Sequence, residues 1–160
     1  MAGGDAEPFW AFSLALYAEP AVASACLRLQ DEAGLDVNLA LFCVYAEQVL
    51  GRALDRTALA ALAAAVASWN ETVVKPLRTL RQGLREAGEA ALRDRVKEAE
   101  LMAEAAAQRR ILAAFAALDP VAVVPGPSNL RRYAGPAADE LERVCGSVLF
   151  RLLPPARDRA

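Results

Sequence analysis

Apolar positions recur along this chain at helical spacing, broken by turn residues at intervals that divide it into short and medium helices. From Pro8 to Tyr17 the residues Phe9, Trp10, Phe12, Leu14 and Leu16 are apolar on nearly every side, which predicts a short helix buried all round. Pro20 sits at the favoured first-turn position of a second helix, Val22, Cys26 and Leu29 follow at helical spacing, and Gly34 supplies a left-handed stop. Asp36 is placed to cap a third helix over Val37 to Leu50, ended by Gly51, and Asp55 to cap a fourth through the alanine-rich run Thr57 to Trp69. Pro76 kinks that helix or begins another, because a mid-helix proline loses a hydrogen bond and clashes with the preceding turn.

From Leu77 to about Leu118 the pattern is helical almost throughout, with Gly83 and Gly88 as its weak points. Residues 119–136 hold four prolines and two glycines and are expected to form a loop. Beyond it Leu141, Val144, Cys145, Val148, Leu149 and Leu152 make one stripe on a final helix over 137–153, and 154–160 reads as a frayed tail. No strand alternation and no repeat is found. The expected architecture is all-α: a single compact bundle of six to seven helices with its core in residues 1–118 and the last helix docked back after the loop.

Composition narrows the chemistry. Histidine is absent, which removes the commonest general base and most zinc and iron site types. No Gly-x-Ser-x-Gly elbow and no glycine-rich phosphate loop is present, so a hydrolase and a nucleotide binder are both disfavoured. Cys26, Cys43 and Cys145 are odd in number and embedded in apolar helical sequence, so they read as reduced, buried hydrophobes in a cytoplasmic protein. The net charge is −2, with three arginines against eight acids in residues 1–60 and eight basic groups against six acids in 78–110. That balance argues against nucleic acid as a partner. Only Lys75 and Lys97 among the eighteen basic residues are lysine, an excess of arginine that a GC-rich bacterial genome produces without any phosphate recognition. Asp5 and Glu7 stand where a signal peptide carries basic residues, and no apolar run reaches the roughly 18 residues of a membrane span.

Two polar groups stand out from the apolar background. Gln30, Asp31, Glu32, Gly34, Asp36 and Asn38 gather at a turn between two apolar helices. Asp31 near a helix C-terminus calls for a positive partner, and Arg78 is the candidate. The group is either a structural set, with Asp36 as cap, Asn38 satisfying first-turn donors and Asp31 paired to an arginine, or a ligand site in which Asp31 and Asp36 hold a cation. In the second group Arg78, Arg81 and Arg85 share one helix face near Trp69. They either grip an anionic partner or form a solvated surface, with Trp69 in the core.

The stretches Phe9-Trp10-Ala11-Phe12-Ser13-Leu14-Ala15-Leu16-Tyr17, Ala25 to Asp31, Gly34 to Leu39, Leu41 to Cys43, Trp69 and Val74-Lys75-Pro76-Leu77-Arg78 together resemble a family of short proteobacterial proteins of unknown function, over about residues 9–85. The resemblance implies no activity. It draws attention to Gln30, Asp31, Asp36, Asn38, Trp69 and Arg78, which with Arg81 of the arginine face form the candidate polar network or ligand site, with no catalytic residue, metal ligand or cofactor expected among them. The functional expectation is a noncatalytic adaptor or regulatory domain whose partner is another protein or a second copy. The alternative is a small-molecule-binding or metal-dependent helical enzyme built on Asp31, Asp36 and Arg78.

Overall fold

A computed structural model describes residues 6–121 and 125–153, so Asp5, residues 122–124 of the proline-rich segment and the tail 154–160 lie outside the described residues. Every regular element among the described residues is helical. Six long helices and one short one make the bundle once Arg56–Glu86, a continuous helix of 31 residues, is taken as one.

Helix α1 (Ala6–Tyr17) and helix α2 (Pro20–Ala33) meet at 100°. Pro20 opens α2, and Gly34 at φ +66° ends it with the N–H of Gly34 bonded to the Gln30 carbonyl and that of Leu35 to the Leu29 carbonyl. Helix α1 is buried on one face, not all round: Phe9, Ser13 and Leu16 point inward while Leu14 and Tyr17 are exposed. The helix buried on every side is α3 (Val37–Gln48), in which each residue from Asn38 to Ala46 is buried. Phe9 packs edge-on to Phe42, and Phe42 edge-on to Phe115, so aromatic contacts join α1 and α3 to the long helix α6 (Ala90–Ala116).

Helix α4 (Arg56–Trp69), capped by Asp55, turns Ala58, Leu59, Leu62 and Val66 inward, and most of its alanines face outward. Alanine also makes Arg56–Glu86 long and apolar enough by length and composition to cross a bilayer, although Asn70, Glu71 and Thr72 interrupt it. Those residues begin a π-helical turn, Asn70–Val74, followed by α5 (Lys75–Glu86). Pro76 is the physical cause. In an α register its ring would collide with the carbonyl four residues back, and the wider turn, in which the Lys75 N–H reaches Asn70 O, relieves that clash without ending the helix. The next bond of that register would join residue 76 to the Glu71 carbonyl, and proline has no N–H to make it. Gly83 does not interrupt α5; the break comes at Gly88, at φ +77°.

Residues 119–136 are not simply a loop. Ser128 caps a short helix α7 (Asn129–Ala134), which a 3-10 turn, Gly135–Ala138, joins to α8 (Asp139–Leu152). The Asn129 side chain, wholly buried, accepts from Leu54 N–H and donates to the Arg52 carbonyl, both at 2.8 Å. This exchange locks the supposed loop onto the turn between α3 and α4. On α8, Leu141, Val144, Cys145, Val148 and Leu149 are buried, largely against α2, while Leu152 is exposed.

Candidate functional site

The α2–α3 turn, the end of α4, the π turn and Tyr133 enclose an open cavity of about 360 Å³. Of the residues expected at a site, Gln30, Asp36, Asn38 and Arg78 line it. Asp31 does not: it is exposed, and among the described residues its carboxylate meets only Gln30 Nε2, at 3.4 Å. Trp69 and Arg81 turn toward α6 instead.

Asp36 is fully occupied. Its Oδ1 accepts from the N–H groups of Asn38 and Leu39 at 2.8 and 3.3 Å, and its Oδ2 accepts from Asn70 Nδ2 at 2.6 Å. The Asp36 N–H donates to Tyr133 Oη at 3.0 Å, and burial pushes the phenol of Tyr133 above its usual range. A carboxylate with this many donors is a structural anchor, not a ready cation ligand. The described residues contain no group of three His, Cys, Asp or Glu placed to hold a metal ion.

Behind the cavity runs a buried polar line. Gln108 on α6 donates from Nε2 to Ser13 Oγ at 2.9 Å and to Asn38 Oδ1 at 3.0 Å, leaving its own Oε1 without a partner. Asn38 is only 9% exposed, and its Nδ2, at the opposite corner of the amide from Gln108, donates to no described residue.

Arg78 does not compensate Asp31 or Asp36. Its Nε and Nη2 lie 3.3 Å from Glu100 and Glu104 of α6, and Arg81 completes the set on Glu100. Burial, then the neighbouring Glu100 charge, raise the Glu104 carboxyl above the ordinary carboxylate range despite Arg78. Arg78 and Arg81 are therefore internal cross-bracing between α5 and α6, whereas Arg85 is exposed and makes no ion pair among the described residues. Trp69 braces the same helix from the other side, donating from Nε1 to the Ala103 carbonyl at 2.8 Å, with the Arg110 guanidinium 3.9 Å from its ring centroid.

A second groove, of about 420 Å³, runs between the C-terminal part of α3 and α8. Val44, Cys145, Leu149, Phe150 and Leu153 give it apolar walls, and Phe150 is 77% exposed. Glu142 on its wall is spent on Ser128 and Arg131, whereas Glu47 has no ion pair among the described residues.

A family model described as a protein of unknown function matches residues 8–111, more than half of the chain. The chain belongs to the DUF2390 family. No curated protein and no solved structure matches it. The DUF2390 region supplies the α2–α3 turn, the π turn, and the Arg78, Arg81, Glu100 and Glu104 brace. Tyr133 and all of α8 lie beyond it.

Sequence reasoning missed Asn70, Tyr133, Gln108 and the two glutamates. Glu100 and Glu104 carried a usable signal, since four-residue spacing places both on one helix face opposite an arginine face of matching period. The cysteines offer no nucleophile: burial pushes Cys26 and Cys145 up to about 12, and Cys43 higher still.

Proposed function

We propose that this domain is a noncatalytic cytoplasmic adaptor that receives an apolar segment of another protein in the groove between α3 and α8. The observation that carries this is Phe150, a large aromatic left 77% exposed on the lip of an apolar groove. Aromatic side chains in such positions are typical anchors of protein contacts, because they remove much apolar surface at low entropic cost. Glu47, on the groove wall with no ion pair among the described residues, calls for a basic side chain beside the apolar anchor, so the segment received carries both. Two further facts favour recognition over chemistry: Arg78 and Arg81 are neutralised internally, and the thiols are buried.

Gly146 provides the test. It lies exposed on the groove wall in mid-helix, and a Cβ built there meets nothing within 4 Å. Gly146→Leu should fold with equal or greater stability, since glycine costs a helix interior about 1 kcal/mol, while filling the groove. Peptides selected by display on the full chain should pair an apolar anchor with Lys or Arg, bind the wild type in the micromolar range or tighter, and lose about tenfold or more with Gly146→Leu and with Phe150→Ala. Selected peptides that lack this pattern, or bind the filled groove equally well, sink the proposal.

A further inference from the structure

We infer that the cavity at the α2–α3 turn is a second site, one that takes a neutral small molecule carrying an amide-type carbonyl. The inference is independent of the groove on α8.

Two hydrogen-bond donors on the cavity wall are unspent. Asn38 is 9% exposed, its Oδ1 is held by Gln108, and its Nδ2 has no described acceptor. Tyr133 accepts from the Asp36 N–H through Oη, and no described residue takes its own proton. The Asn38 amide nitrogen is not among the fully buried unpaired atoms, so it is open to the cavity, where a ligand acceptor would take the place of solvent. On the same wall, Glu71 has a main-chain carbonyl deprived of its helix donor by Pro76, which leaves an acceptor for a ligand N–H. With Gln30 Oε1 and Asn70 Oδ1, which accept from no described residue, the wall offers both donors and acceptors, the complement of a primary or secondary amide, a lactam or a ureido group.

Charge on the walls excludes the ionic alternatives. An anion would meet the carboxylates of Asp36 and Glu71, and the cations that might offset them are taken, Arg78 by Glu100 and Glu104, and Lys75 by Glu71. A cation would find both oxygens of Asp36 already accepting. The rest of the wall includes Leu35, Val37, Val66 and Val74, so the ligand body is apolar. A volume of about 360 Å³ falls at the small end of ligand sites.

Three probes of one shape separate the possibilities: N-acetylleucinamide (neutral), N-acetylleucine (anionic at pH 7) and leucinamide (cationic). Each is titrated into the full chain while the Asn38 side-chain N–H₂ resonance is followed. The neutral probe should give a saturable shift of that resonance with a millimolar Kd, and each charged probe should bind about tenfold more weakly or worse. Tyr133→Phe, with an otherwise unchanged spectrum, should weaken the neutral probe about fivefold, the loss of one hydrogen bond. No saturable shift with the neutral amide up to about 50 mM, or equal binding of a charged probe, overturns the assignment.

Discussion

Asn70 donates from Nδ2 to Asp36 Oδ2 at 2.6 Å, tying the first residue of the π turn to the N-cap of α3. The cap is thus a junction of two helices and not only the end of one. Asp36→Ala loses both roles and should lower stability by about 2 kcal/mol, more than the roughly 1 kcal/mol typical of a cap alone. Asn70→Ala should cost about 1 kcal/mol, and a double-mutant cycle in urea should return a coupling above about 0.5 kcal/mol. Additive losses would mean that the contact carries no energy.

Glu100 is the hinge of the α5–α6 brace. Its side chain is 7% exposed and meets both Arg78 and Arg81. Glu100→Ala strands the partly buried guanidinium of Arg81, leaves Arg78 with Glu104 alone, and should cost about 3 kcal/mol, whereas Glu100→Gln, which keeps the shape and some hydrogen bonds, should cost less. Helix α5 buries no side chain completely, so the loss should appear first as faster amide exchange in residues 75–86. Uniform exchange across the chain would contradict this local dependence.

Glu104 should behave oppositely to Glu100. Its carboxyl is raised by burial and by the Glu100 charge, so the folded state holds that proton more tightly than the unfolded state does. The penalty for ionising it is absent below the unfolded-state carboxylate range and grows as pH rises through the folded-state value. Glu104→Gln should therefore be close to neutral in stability at pH 7, within about 1 kcal/mol, and should flatten the fall in stability between mildly acidic and neutral pH. A loss as large as that of Glu100→Ala would show that its pairing with Arg78 outweighs its desolvation.

Local chemistry was legible in the sequence and tertiary chemistry was not. Gly34 and Asp36 act within a few residues of themselves, through a left-handed stop and an N-cap, and both stand where the pattern places them. Pro76 marked a disturbance in the helix, and its π turn is the form that disturbance takes. Arg78 finds its partners 22 and 26 residues away, a distance over which periodicity shows which face it shares but not what that face meets. The proline-rich segment hid α7 because Pro125, Gly126 and Pro127 dominate the local signal, while the helix rests on Ser128 as cap and on Asn129, whose bonds go to residues 52 and 54.

The thiols predict an alkaline limit. Burial holds Cys26 and Cys145 protonated to about 12 against an ordinary value of 9.0. The unfolded chain ionises first, so the associated stability is fully present below about pH 9 and is lost as pH rises toward 12. Cys145→Ala loses some packing at every pH, but its stability should fall less between pH 7 and pH 10.5 than that of the wild type. Alkylation of either thiol at pH 8 should proceed no faster than unfolding permits. Rapid labelling of the native protein would show that α2 and α8 part readily.

Helix α8 lies beyond the family match, yet its burial argues that it belongs to the core. Leu141 is 1% exposed and Val144, Cys145, Val148 and Leu149 follow it on one face, while Leu152 is 51% exposed. Helix α8 packs on α2, with Cys145 beside Cys26, and ion pairs from Arg28 to Glu140 and from Arg151 to Glu19 flank the contact. The ion pairs are exposed and contribute little; the apolar face carries the docking. Leu141→Ala should cost about 3 kcal/mol by the usual transfer and cavity terms, and Leu152→Ala less than about 0.5. A chain truncated after Pro136 exposes the α2 face, so it should melt lower than the full chain and bind an apolar-sensitive dye. If the truncated chain melts unchanged and stays dye-free, α8 is an appendage that rests on α2 without stabilising it, and the groove it forms with α3 would be too loosely held to anchor a partner.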